Sequence, residues 1–152
     1  MKNIALKIGT FLVLTLLLVV SCTSTKKAVV ISDEEKMAFN QTKGDTISIA
    51  SDKTEYEILI IEAGFDMWLA SIAKPNGYYS QSYLENRNRI YVSEWNSRVL
   101  QPFRFDSNMY EMQIDYDQNI DYGYELNYKL FNYFIFFQRK YNQRLAGFLP
   151  RI

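Results

Sequence analysis

The chain has 152 residues, with 17 basic against 17 acidic side chains and no histidine. Electroneutrality excludes the strong positive field on which nucleic-acid binding rests. The missing imidazole excludes serine–histidine triads, histidine-ligated zinc and histidine phosphorelays, so acid–base chemistry would fall to carboxylates, tyrosine, lysine or a carboxylate-held metal.

Lys2 and Lys7 precede an apolar run, Phe11 to Val20, and Val19, Val20 and Ser21 stand before Cys22. This is the layout of a signal peptide, residues 1–21. It resembles the bacterial lipobox, in which the cysteine is lipidated and becomes the new N-terminus. Ordinary cleavage after Ser21, leaving a free cysteine, is the alternative. A permanent span needs about 20 apolar residues, and the polar stretch from Ser21 argues against one. Loss of the leader removes Lys2 and Lys7, leaving 15 basic against 17 acidic groups. With Cys22 acylated no thiol remains for a disulfide, a nucleophile or a metal. Stability must then come from the core, for which an aromatic share of 16% supplies the bulk.

Residues 22–43, polar and without periodicity, read as the lipidated cysteine and a flexible tether. A short helix near Asp33 to Asn40 fits within it, and the triplet Asp33, Glu34, Glu35 reads as solvated linker. A single globular domain is expected over 44–149. It begins with strands at Thr46 to Ala50 and Tyr56 to Ile61, the second apolar on both faces at its end and so expected in a sheet interior. Gly64 breaks this run, and Asp66 is placed to cap a short helix from Met67 to Ile72. Lys74, Pro75, Asn76 and Gly77 make a turn.

A helix is predicted from about Ser80 to Leu100, with Leu84, Tyr91, Trp95 and Val99 along one stripe, widened by Ile90 and Tyr83. A strand at Ile90 to Trp95 is the rival reading. Pro102 follows the helix, and Met109 to Asp115 alternates as a third strand would. A last helix is predicted from about Tyr122 to Leu145. One stripe is Leu126, Leu130, Tyr133, Phe134, Phe137, Tyr141 and Leu145; a second is Tyr124, Tyr128, Phe131 and Ile135. Such a helix is either sandwiched inside its domain, the favoured reading, or offers one side to a partner. The expected fold is therefore α+β: a small, mainly antiparallel sheet of about three strands with two long helices and one short one.

Two polar constellations stand out. Arg87, Glu94 and Arg98 lie beside the apolar stripe of the first long helix, either as an ion-pair network at the core's rim or as a grip on a ligand carboxylate or phosphate. Asp115, Asp117, Asn119 and Asp121 space oxygen ligands as an EF-hand loop begins, but Ile120 stands where glycine is required and Leu126 where a bidentate glutamate is. An acidic turn with Asp121 capping the last helix is the simpler reading. Tyr78, Tyr79 and Tyr83, near the Asn76–Gly77 turn, could stack on sugars but more readily belong to the core. No motif implies a cofactor, and no catalytic residue is assigned.

The strings Gly64-Phe65-Asp66 with Trp68 and Leu69, Tyr78 to Glu85 (Tyr-Tyr-Ser-Gln-Ser-Tyr-Leu-Glu), Arg89 to Asn96 and Ile120 to Glu125 resemble an uncharacterised family of lipoproteins from the Bacteroidota, grouped under a domain of unknown function. The likeness spans about Tyr56 to Leu145. It implies a lipid-anchored envelope protein and no particular chemistry. Thr23, Ser24, Thr25, Lys26 and Lys27, rather than acidic residues, follow the cysteine, which in such bacteria implies an outer-membrane protein facing the periplasm. The expected function is a non-enzymatic interaction or structural module, with an envelope protein docking through the last helix; a small-ligand or glycan-binding module is the alternative, and a carboxylate-based hydrolase ranks last.

Overall fold

A computed structural model describes residues 29–42, 46–51, 55–148 and 152. The leader and Cys22 lie outside them. The described residues are mainly helical: α1 (Asp33–Phe39), α2 (Phe65–Ser71), α3 (Gln81–Val99) and α4 (Tyr124–Lys140). The expected α+β domain with a three-stranded sheet is therefore corrected. Strand pairing among the described residues is confined to one antiparallel hairpin of β1 (Thr46–Ala50) and β2 (Glu57–Ile61), with Thr46 opposite Ile61 and Ala50 opposite Glu57. The second run is thus no interior strand.

α4 is the axis of the fold. Twelve of its residues are buried and none is exposed. On one side Tyr91 and Trp95 of α3 meet Phe131, Phe134 and Phe137. On the other, Phe39, Phe65 and Trp68 of α1 and α2 close on Phe136 at 5.4–5.8 Å between ring centroids. Three amides lie buried in this apolar helix, and each donates to the carbonyl four residues back: Asn127 to Gly123 (2.7 Å), Asn132 to Tyr128 (2.8 Å) and Gln138 to Phe134 (3.0 Å). A sandwiched helix can carry such groups only if they are satisfied internally. The two stripes read from sequence are thus both core. The helix stops at Lys140, short of Leu145, because Asn142 turns left-handed (φ 49°) and Gln143 N–H bonds back to the Gln138 carbonyl. Leu145 is still buried, on the returning chain.

α3 and α4 run parallel. Asn88 donates to the Asn127 carbonyl, Trp95 lies 4.8 Å from Phe137, and Arg98 reaches Gln143, so both sequences advance in the same direction. Short loops join antiparallel neighbours; parallel ones need a return path. Residues 100–123 supply it, and here the predicted third strand fails. Met109 to Asp115 runs back along α3 with no strand beside it among the described residues. Its main chain is held by side chains instead. The Asn96 amide donates to the Ile114 carbonyl and accepts from its N–H, both at 2.8 Å, and Trp95 Nε1 donates to the Met112 carbonyl at 2.9 Å. Asn96 makes the pair of bonds that a neighbouring strand would have made.

Residues 29–42, read from sequence as part of a tether, pack on the core as α1. Ser32 and Glu35 form a capping box, with Glu35 N–H donating to Ser32 Oγ (3.2 Å) and Ser32 N–H to Glu35 Oε2 (3.1 Å). Asp33 and Glu34 are solvated as expected; Glu35 is not, since it is fully buried. Arg139 of α4 forms a two-pronged ion pair with its carboxylate and also donates to the Val30 carbonyl at 2.8 Å. Trp68 Nε1 adds a bond at 3.1 Å. Burial alone would raise the Glu35 carboxyl, but these donors outweigh it and hold it below the ordinary range. Gly64 precedes α2 at φ 84°, where a Cβ would stand 1.8 Å from the Ala38 carbonyl oxygen, so glycine lets α2 approach α1. Asp66 accordingly sits within the first turn of α2 rather than capping it.

Candidate functional site

A groove of about 680 Å³ lies between the chain around β2 and the return segment. Its floor is aromatic: Trp95 of α3 with Tyr133, Phe137 and Tyr141 at the end of α4. Glu57 and Glu62 stand on one wall, Glu111 and Asp115 on the other, and among the described residues no lysine or arginine lines it. The hairpin packs on α4 through β1, and the chain from Tyr56 to Glu62 that includes β2 advances in the same sense as α4, from the Tyr56–Tyr122 contact (4.8 Å) to the Lys140–Glu62 bridge (2.6 Å). The return segment runs the opposite way, from Tyr110 against Phe137 to Tyr116 stacked on Tyr122. The groove is thus a trough along α4, closed at one end by Tyr56, Tyr122 and Tyr116.

The electrostatics follow from this placement. Lys140 neutralises Glu62, whose Oε1 also accepts from Tyr141 Oη at 2.9 Å. Burial first, and then the Asp115 charge, pushes the Tyr56 phenol up to about 12. Burial and the Glu62 hydrogen bond do the same for Tyr141, also to about 12. Tyr133 is raised further, by burial and then by Glu62, Tyr141 and Glu111. The groove therefore holds neutral phenols under a negative field, an environment for an apolar or aromatic contact that carries positive charge. Met112, 76% exposed, stands on the rim.

The residues singled out from sequence fall elsewhere, except Asp115. Arg98 is buried and saturated: Nε donates to Glu94 at 2.8 Å, one terminal nitrogen to Tyr110 Oη at 2.7 Å, the other to the Arg144 carbonyl, and the guanidinium lies over Phe105 at 4.7 Å. It ties α3 to the return segment and to the chain after α4. Arg87 does not join this pair. It lies between Tyr83 (5.1 Å) and Phe148 (4.1 Å), extending a stack that begins with Tyr79 on Tyr83 at 4.8 Å and 10°. Tyr83 thus already contacts Tyr79, Arg87 and Phe131, while Tyr78 is 61% exposed. Ile90 and Tyr83, expected to widen the buried face of α3, are exposed, while Val92 is buried.

In the acidic turn Asp117 Oδ1 accepts from Asn119 N–H (2.8 Å) and from its amide (2.9 Å), and Asp121 Oδ1 accepts from Gly123 N–H (3.0 Å) and Gln81 (2.8 Å). Gly123, not Asp121, occupies the cap position of α4. Among the described residues no three acidic groups converge as a metal would require. A smaller cleft of about 330 Å³ lies beside this turn, lined by Gln81, Glu85, Arg89 and Tyr116. The groove itself was not legible from sequence because its walls come from segments 50 residues apart. Alternating Glu111, Gln113 and Asp115 opposite Tyr110, Met112 and Ile114 was the one available signal.

What these observations define is a mainly helical domain with an acidic, aromatic-floored groove. Residues 10–149 match the model of a family of unknown function, DUF6146, and the chain belongs to that family. No curated protein and no solved structure matches the chain.

Proposed function

We propose that the chain is a lipid-anchored, non-enzymatic interaction module of the cell envelope whose groove receives a basic segment of another envelope protein. The observation that carries this reading is the groove's composition: an aromatic floor beside Glu111 and Asp115, with no lysine or arginine among the described residues that line it. Charge complementarity of this kind steers a partner and fixes its register. Lysine or arginine side chains would lay their stems over the half-buried Tyr133 and Tyr141 and their charges against Glu111 and Asp115. β2 spans five residues, which at 3.3 Å each sets a contact of about 17 Å. The expected partner surface on the last helix is thereby kept, but it is reached through the groove.

Anchoring rests on the lipobox-like Val19-Val20-Ser21-Cys22, and a location on the periplasmic side of the outer membrane rests on the residues after Cys22. Intact mass of the protein from its own membrane tests the anchor, which requires an acylated Cys22; a free thiol there would refute it. Binding is tested with a photo-crosslinking residue at Met112. The expected product joins Met112 to a lysine- or arginine-containing segment of one envelope protein, and Glu111→Lys with Asp115→Lys abolishes it in a folded chain. A crosslink that survives this charge reversal, or none at all, would sink the reading.

A further inference from the structure

The end of the molecule at which α3 and α4 both terminate carries a second surface. Leu100 is 70% exposed, Pro102 is exposed, and Phe103 is exposed completely. They are presented by one tight turn, in which Arg104 N–H and Phe105 N–H both bond to the Gln101 carbonyl. Three exposed apolar residues within four positions, at a hydrogen-bonded turn, differ from scattered surface leucines, which need no explanation. Arg104 follows them, with its guanidinium 5.2 Å from the Phe105 ring. Arg144, exposed, lies on the adjoining chain after α4, and Asp106 is turned onto Asn108 at 2.9 Å.

The N-terminal segment enters at this same end. Arg139, in the last turn of α4, bonds to the Val30 carbonyl, and α1 then runs antiparallel to α4, from Glu35 beside Arg139 to Phe39 beside Phe136. Val30 is 87% exposed. Eight residue steps separate it from Cys22, a reach of about 28 Å at full extension. The tether therefore starts from the end of the molecule that displays Leu100 and Phe103, and its reach matches the length of α4.

We propose that this end is a bilayer-docking face: the turn Leu100 to Arg104 sits in the interfacial layer of the membrane, apolar side chains inward and Arg104 at headgroup level. The inference rests on the reading of Cys22 as the membrane attachment. Interfacial binding scales with the apolar area inserted, and a second contact converts a loose tether into a fixed orientation. The groove, which runs along α4, would then stand upright from the surface.

The test attaches the chain from Cys22 onward, through its thiol, to a maleimide lipid in phosphatidylcholine nanodiscs containing a nitroxide-headgroup lipid. Because this attachment is chemical, the outcome does not depend on native acylation, which intact mass decides separately. Amide cross-peaks of residues 100, 101, 103 and 104 are expected to be lost, while those of residues 118–120, at the opposite end, persist. Leu100→Ser with Phe103→Ser, both at exposed positions, should keep a folded spectrum and erase this difference. Equal attenuation at the two ends, or a difference that survives the double substitution, would overturn the proposal.

Discussion

Replacing Arg139 by methionine keeps the volume of the side chain's stem but strands the Glu35 carboxylate, which has no solvent exposure. Trp68 and the Ser32 N–H still donate to it, so two of its partners remain while the countercharge is gone. Breaking a buried pair from one side costs about 3–5 kcal/mol, a large share of the 5–15 kcal/mol expected of a domain. Urea unfolding at neutral pH should show a loss of that size, with backbone exchange over α1 accelerated first. Glu35→Leu in the same chain should recover part of it, leaving about 1–3 kcal/mol for the Trp68 N–H without its acceptor. The pH dependence gives a second readout. In the native chain Glu35 is held below its ordinary 4.5, so its contribution is complete above pH 4.5 and is lost as pH falls through the folded value. In Arg139→Met burial dominates and raises that carboxyl, so acidification protonates it in the folded state first and lessens the deficit. A loss under about 1 kcal/mol, or a deficit that does not shrink on acidification, would refute this account of the pair.

Asn96→Ala should cost about 1–3 kcal/mol in urea titrations, since it strands the N–H and carbonyl of Ile114; it should also speed exchange across residues 111–115. Gly64→Ala should cost at least about 2 kcal/mol in the same assay, combining left-handed strain with the Ala38 collision. Tyr56, Tyr91, Tyr116 and Tyr141, each pushed up to about 12 from 10.0, favour the folded state by an amount fully present below pH 10 and lost as pH rises through 12. Phenolate absorbance should therefore lag behind that of the unfolded chain and appear with unfolding; four free phenols titrating near 10 in the folded protein would contradict the burial that causes the shift.

The long helices were legible because their periodicity is strong. α3 was expected from Ser80 to Leu100 and spans Gln81–Val99, with Ser80 Oγ capping the Tyr83 N–H. The end of α4 was overshot because the apolar stripe continues through Tyr141 and Leu145, which outweighed the stop signal of Asn142 after Arg139 and Lys140. Met109 to Asp115 misled for a physical reason: Tyr110 and Ile114 turn toward the core, but Met112 between them is 76% exposed, so apolar alternation here does not record a strand's two faces. The backbone partner that makes a strand was Asn96, outside the pattern. Glu35 was misjudged with its acidic neighbours, although Ser32-Asp33-Glu34-Glu35 carries the capping-box spacing. Its pairing with Arg139, 104 positions away, has no sequence signature. The spacing of Glu94 and Arg98 allowed an ion pair or a grip on a ligand; the two side chains do pair, but the hold of Arg98 on Tyr110 and the Arg144 carbonyl depends on chain paths that only the fold determines.

The central position of α4 also sets an order on events during synthesis. The other described elements rest on a helix that emerges after all of them, and the rings of Phe39, Phe65, Trp68, Tyr91 and Trp95 have partners there. Until that helix arrives, the nascent chain has capped local helices and no core to close them on. Chain closure of this range is slow relative to local helix formation. A chain arrested before Tyr124 would remain open and recognisable to any factor that binds exposed aromatic side chains, and it would collapse in a single step once α4 is released.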